Sequence, residues 1–202
     1  MGVGSVRSVG DAAAGVEVRA VGSIEDVDAV FGVRGDPAHC WCVWDRVTGK
    51  EFDELDDAAK RERLAVRLRA DGPAAGVIAT VDGERVGWCS VAPRAEFGRV
   101  GRGWSTSSPQ TAGDDPGVWS VTCFVVRPGF RRGGVADALL AGAIEHARAG
   151  GARILEAYPV DTSGQKAPSA NLYRGTLSQF AAQGFEVVAT PRPGRAIVRL
   201  AL

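Results

Sequence analysis

The chain has 202 residues, with 24 basic and 24 acidic side chains and therefore no formal net charge; 45% of its residues are hydrophobic and 24% charged. That length supports one substantial core. The charge balance argues against a generally basic nucleic-acid binder, and no apolar run is long enough to cross a bilayer. Four cysteines in a chain of this size do not suggest a disulfide framework, so they read as reduced thiols of a cytoplasmic protein.

Residues 1–15, MGVGSVRSVGDAAAG, lack the sustained apolar core of a secretory leader. They read as a flexible tail ahead of a single domain spanning residues 16–202. VEVRAVG, from Val16 to Gly22, alternates apolar and polar side chains as a half-buried strand does. Ser23 is placed to cap a short helix that follows. DPAHCWCVWDR is dense in aromatic residues and shows no clear period. FDELDDAAKRERLAVRLRADG predicts one helix, acidic at its start and basic toward its end, in the sense that complements the helix dipole. AGVIATVDGERVGWCSVAP predicts a hairpin turning at Asp82-Gly83. FGRVGRGWSTSSPQTAGDDPG, rich in Gly, Ser, Pro and Thr, predicts a long loop of the kind that often carries function.

VWSVTCFVV is a nearly continuous apolar strand, as expected of one buried on both faces. RPGFRRGG follows, then a helix over VADALLAGAIEHARAGG, with Ala136, Leu140, Ala143, Ile144 and Ala147 on one face and His146 on the exposed side. RILEAYPV is the next strand. A strand, helix and strand in succession predict a parallel pair. A short helix over LSQFAAQ and two closing strands, FEVVAT and AIVRLAL, complete the order β-α-α-β-β-β-α-β-α-β-β. The fold is expected to be competent as a monomer, and the closing strands leave an edge that a second copy could cover, so a homodimer is the alternative assembly.

The chemistry concentrates at the turn after VWSVTCFVV. A helix N-terminus carries unpaired amides and partial positive charge, and phosphate binds there readily. Gly133 and Gly134 let the backbone approach a ligand, Arg131 and Arg132 add cationic donors, and Pro128 stops the strand. Rival phosphate motifs fit worse: G-x-G-x-x-G is absent, and TGKEF lacks the glycine spacing and Ser/Thr of a P-loop. His39, Cys40 and Cys42 do not have zinc-ligand spacing, so no metal is expected.

Val126-Arg127-Pro128 followed by Arg131-x-x-Gly134-x-Ala136, after a strand and opening a helix, resembles the acetyl-CoA signature of the GNAT superfamily of N-acetyltransferases. The element order from Val16 to Leu202 and Gly184-Phe185 after the last helix are similar to that family too. Cys40-Trp41-Cys42 resembles a bacterial subgroup of it. The resemblance implies an α/β (α+β) fold: a mixed, mostly antiparallel sheet with a splayed central parallel pair, flanked by helices. It implies that the backbone of Phe124, Val125 and Val126 pairs with pantetheine. Amides from Arg132 through Gly133, Gly134 and Val135 to Ala136 would hold the pyrophosphate of acetyl-CoA, the co-substrate. The activity implied is acetyl transfer to a primary amine, of a small molecule, by direct attack on the thioester. The alternatives are a non-catalytic acyl-CoA-binding or regulatory module and an acetyltransferase acting on protein N-termini or lysines.

Many family members carry a tyrosine four residues before the Gly of Gly-Phe as proton donor to the departing thiolate; here Phe180 stands there. Tyr173 is the nearest substitute, with Ser178 a weaker one. Glu156 and Asp161 are the candidate bases, Asp161 also an acceptor contact. Trp41 and Trp104 are the expected acceptor-binding aromatics, and Trp41 and Trp44 are both candidates for cleft or core.

Overall fold

The computed structural model describes residues 15–32, 35–103, 105–109, 115–164 and 169–202. The predicted tail, apart from Gly15, and Trp104 lie outside these residues. Seven strands form one sheet in the order β1-β2-β3-β4-β5-β7-β6. They are β1 (Val16–Ala20), β2 (Gly76–Val81), β3 (Glu84–Pro93), β4 (Val118–Val126), β5 (Ile154–Ala157), β6 (Glu186–Arg192) and β7 (Arg195–Ala201). All neighbours are antiparallel except β4 and β5. This is the mixed, mostly antiparallel sheet with one parallel pair that the resemblance implied.

Helices α1 (Ile24–Phe31), α2 (Asp36–Cys40), α3 (Gly49–Glu54) and α4 (Asp57–Arg69) lie between β1 and β2. Two were expected there, and both departures have local causes. The acidic run predicted to start one helix spans two. Thr48 and Glu51 close a capping box on α3, Leu55 leaves the helix in an extended conformation, and Asp56 caps α4 by accepting the Ala59 amide. Helix α2 is one turn long, with Pro37 in its first turn, and it ends where Trp41 and Cys42 turn left-handed at φ 50° and 49°. Such a short element has no periodicity to read.

The β2–β3 hairpin turns at Asp82 and Gly83, both at positive φ, as a two-residue turn that matches strand twist requires. Helix α5 (Val135–Ala149) packs Leu139, Leu140, Ala143 and Ala147 against one face of the sheet, beside Val77, Val91, Val121 and Phe124. On the other face, α1 and α4 enclose Trp88 with Val27, Phe31 and Leu64. Helix α6 (Leu177–Ala182) adds Phe180 to the α5 side. His146 is half-buried rather than exposed: its Nε2 donates to the Ala74 carbonyl at 2.9 Å and its ring meets Trp119 edge-on. Strand β6 is one edge of the sheet and β1 the other, with Val187 of β6 half exposed.

At Gly142, in the middle of α5, helix and sheet touch closely. A Cβ there would stand 2.3 Å from Val18 Cγ1 and 3.0 Å from Val18 Cβ. Replacing a mid-helix glycine by alanine normally gains about 0.5–1 kcal/mol, whereas overpacking a tight contact costs about 1–3 kcal/mol. Because Val18 cannot yield its Cβ without moving β1, the second effect wins. Gly142→Ala is expected to lower the thermal unfolding midpoint; a raised midpoint would show that β1 moves aside at little cost.

Candidate active site

Strands β4 and β5 pair over only four rungs, from Val118–Ile154 to Val121–Ala157. Beyond that point β4 continues for five residues with no strand partner on the β5 side among the described residues, although Cys123 to Val126 remain paired to β3. The β3–β4 register slips between Ser90 and Val91, leaving Thr122 without a rung. Aromatic packing fills one side of the gap: Phe180 is fully buried and stacks edge-on against Phe124 and Phe185.

At its end β4 enters a 3-10 turn over Pro128–Phe130 and then the arginine-glycine hinge. Arg132 has φ 65°, and Gly134, the N-cap of α5, has φ 78°. These left-handed positions bend the chain so that α5 opens at the mouth of the splayed strands. The first amides of α5 have no partner within the helix. Arg131, Arg132 and Gly133 are exposed beside them. Donors, cations and an open approach therefore meet at one point, which suits a diphosphate. Arg131 Nε also donates to the Val126 carbonyl at 3.0 Å and so ties the hinge back to the strand.

A cleft of about 490 Å³ runs from this hinge along β4. Cys123, Phe124, Val125 and Val126 form its floor, with Arg131 and Ala136 at the hinge end. Cys40, Cys42, Trp44 and Asp45 supply one wall, and Leu172 and Tyr173 the other. Of the residues expected to hold acetyl-CoA, Phe124, Val125, Val126, Arg131 and Ala136 share this cleft with Tyr173, whereas Arg132, Gly133, Gly134 and the buried Val135 do not line it. Ala136 faces this cleft instead of the core face expected for it.

The remaining sequence candidates fall elsewhere. Glu156 does not line the cleft: its side chain is fully buried, bonded to Arg199 at 2.7 Å and to Arg94 at 3.4 Å. It also accepts a short hydrogen bond from the Tyr158 hydroxyl. A carboxylate so enclosed by cations is poorly placed to receive a proton from a ligand in the cleft. Burial, then the charge of Glu156, pushes the Tyr158 phenol well above its usual range. Asp161 lies in the turn after β5, where it accepts the Ser163 amide, a bond that holds its carboxyl below the usual range. Trp41 packs in the core against Phe31, and Trp44 takes the cleft position instead. The Arg99 guanidinium covers the Trp44 ring at 3.7 Å, and the Arg99 amide donates to the Asp45 carbonyl. The start of the predicted functional loop thereby buttresses the cleft wall. His39 points to Asp57 at 2.6 Å, and among the described residues no group of three His, Cys, Asp or Glu side chains gathers as metal ligands would.

Sequence reasoning missed the Asp45–Arg174 ion pair under the cleft, 2.6 Å long with both side chains 8% exposed. Its members lie 129 positions apart, and no local pattern links them.

The sequence model of the acetyltransferase (GNAT) family matches residues 38–175, which takes in the cleft walls, the hinge and Tyr173. The chain belongs to the GNAT acetyltransferase family. Solved structures of similar fold include a GCN5-related N-acetyltransferase from Kribbella flavida, 20% identical with a TM-score of 0.56 over 93% of this chain and 98% of that one. PaiA N-acetyltransferase from Thermoplasma acidophilum, in complex with coenzyme A, is 14% identical with a TM-score of 0.53 over 93% and 99%. YncA from Salmonella typhimurium, with its cofactor acetyl-CoA, is 16% identical with a TM-score of 0.55 over 93% and 94%. No curated protein matches the chain.

In this GNAT chain two of the cleft thiols, Cys40 and Cys42, are held protonated. Burial, with the neighbouring Cys42, pushes Cys40 up to about 11. Cys42 is raised further by its contact with Cys123 and by burial, although the Trp88 indole N–H donates to its sulfur at 3.3 Å. At pH 8 a thiol of pKa about 11 is thiolate in roughly one molecule per thousand, against about a quarter for an ordinary cysteine near 8.5. Cys40 in the folded protein is therefore expected to react with iodoacetamide on the order of 10²-fold more slowly than in the unfolded chain. Mass spectrometry of its peptide over time measures this, and equal rates would contradict the assigned environment.

Proposed function

We propose that the protein is an acetyl-CoA-dependent N-acetyltransferase acting on a primary amine, with a small molecule as the acceptor. The observation that carries this reading is the unpartnered end of β4 running into the hinge at α5. Buried or ligand-facing backbone groups need partners, and an extended pantetheine arm offers amides at strand-like spacing. Phe124, Val125 and Val126 would pair with that arm, while the amides from Arg132 to Ala136 and the Arg131 and Arg132 side chains would hold the diphosphate. Relatives of the same fold with coenzyme A or acetyl-CoA bound support the assignment.

Acetyl-CoA supplies an activated acyl carbon. The chain supplies position and a proton. The acceptor amine enters between Trp44 and Tyr173, forms the C–N bond as the C–S bond breaks, and loses its proton to solvent in the open cleft. Tyr173, rather than the buried and hydroxyl-free Phe180, donates a proton to the departing sulfur. Glu156 has no part in this route, since Arg94, Arg199 and Tyr158 already engage it. The cleft volume of about 490 Å³ lies within the range of small-molecule sites, and its apolar walls suit a compact acceptor.

Tyr173→Phe is expected to lower turnover by roughly 10²–10⁴-fold, the range for a lost acid–base group, with acetyl-CoA affinity little changed. Turnover at the normal rate would remove Tyr173 from the mechanism. Gly134→Glu strains a left-handed N-cap and sets a negative charge among the phosphate-holding amides. The thermal stabilisation that coenzyme A confers on the wild type should disappear in this variant. Undiminished stabilisation in a folded Gly134→Glu protein would overturn the diphosphate assignment. Stabilisation of the wild type without coenzyme A release against any amine would instead favour a binding module.

A further inference from the structure

Tyr173 closes a 3-10 turn over Ser169–Arg174 and is 37% exposed at the cleft. A tyrosine at such a site has several staggered positions to choose from, so a proton donor there needs something to hold it. Arg174, the next residue, turns inward. Its Nη2 donates to Asp45 Oδ1 at 2.6 Å, and its Nε donates to the Tyr173 hydroxyl oxygen at 3.2 Å. The guanidinium also lies over the rings of Tyr158 and Tyr173, 5.7 and 5.2 Å from their centroids. Its Nη1 is buried with no hydrogen-bond partner among the described residues.

That geometry is not the one charge neutralisation would select. An arginine serving Asp45 alone favours a two-pronged contact with the carboxylate. Here only one nitrogen reaches Asp45, and Nε is directed to the phenol. A guanidinium has donors and no acceptor, so the phenolic oxygen is the acceptor in this bond. The Tyr173 proton therefore cannot point at Arg174. Burial alone would favour the neutral arginine, but the charge of Asp45 outweighs it and Arg174 stays cationic. A cation beside the phenolic oxygen also stabilises negative charge that develops there as the proton leaves.

We propose that Arg174, anchored by Asp45, is a positioning residue that fixes the Tyr173 hydroxyl with its proton turned into the cleft. The inference rests on the reading of Tyr173 as proton donor. During transfer the Tyr173 O–H bond breaks, its proton passes to the departing sulfur, and the phenolate left beside Arg174 is reprotonated from solvent.

The test uses the chain's two tyrosines, Tyr158 and Tyr173, as probes. With tyrosine labelled by ¹³C at Cζ, Tyr173→Phe assigns the two signals. Arg174→Lys keeps a cation for Asp45, but its single nitrogen cannot stand at both the Nη2 and the Nε positions, and the Tyr173 signal is expected to shift and broaden. Should that variant not fold, Asp45→Asn combined with Arg174→Gln removes both buried charges together and gives the same readout. An unmoved Tyr173 signal in either folded protein overturns the proposal.

Coenzyme A release from acetyl-CoA with 2-phenylethylamine as acceptor then tests the link to turnover. Arg174→Lys is expected to lower kcat by up to about 10²-fold, the scale of a misplaced group, with little change in KM. Added to Tyr173→Phe it should cost nothing more, because both changes act on one proton. Further loss in the double variant would show that Arg174 acts independently of Tyr173. If the wild type releases no coenzyme A with this or any other amine of a panel, the transferase reading fails, and the Tyr173 signal still decides whether Arg174 holds it.

Discussion

The parallel ladder between β4 and β5 stops after Val121–Ala157, and the site follows from that limit. A continuous ladder would have paired the rest of β4 with its neighbour and left no backbone for a ligand. The fold pairs the first half of the strand and opens the second. What keeps the strands apart is packing: Phe180, wedged on Phe124 and Phe185, and Gly175, where an added Cβ would stand 2.8 Å from the Phe180 ring. Phe180, where the family resemblance implied a tyrosine, is part of this wedge.

Two buried charge networks flank the opening. Glu156 is held among Arg94, Arg199 and Tyr158, whose hydroxyl also meets Ser120 at 3.2 Å. Asp45 is held by Arg174. Buried ion pairs add little net stability compared with apolar packing, but removing one partner costs about 3–5 kcal/mol because the other charge is stranded. Their value lies in position. The first network locks the end of β5, and the second ties the segment after α2 to the turn that carries Tyr173. The Arg174 guanidinium over the Tyr158 ring joins the two. Together they define the distance between the cleft walls by hydrogen bonds rather than by loosely fitting apolar side chains.

The turn after α2 shows how local strain serves this geometry. Bulky residues rarely adopt positive φ, and two in succession at Trp41 and Cys42 require surroundings that outweigh the cost. Trp41 is set into the core against Phe31, and the Trp88 indole reaches the Cys42 sulfur. The reversal brings Cys40, Cys42, Trp44 and Asp45 to the cleft from a stretch whose composition alone suggested either core or binding surface.

Local chemistry determined much of this protein. Alternation marked β1, Asp82-Gly83 marked the hairpin, and the apolar run of β4 followed by Arg131, Arg132, Gly133 and Gly134 marked the strand, hinge and helix that carry the proposed diphosphate site. Each signal is written in neighbouring residues, because dihedral preference, side-chain period and helix-end donors act over a few positions. The division of one acidic run between α3 and α4 was less plain, since capping depends on which of several carboxylates reaches an amide. Tertiary structure alone decided that Glu156 is enclosed by two arginines, that Trp44 and not Trp41 faces the cleft, and that Asp45 meets Arg174 from the far end of the chain. Burial and ion pairing at these positions depend on how the sheet, α2 and the turn at Tyr173 pack against one another, and no stretch of neighbouring residues encodes a contact between segments more than a hundred positions apart.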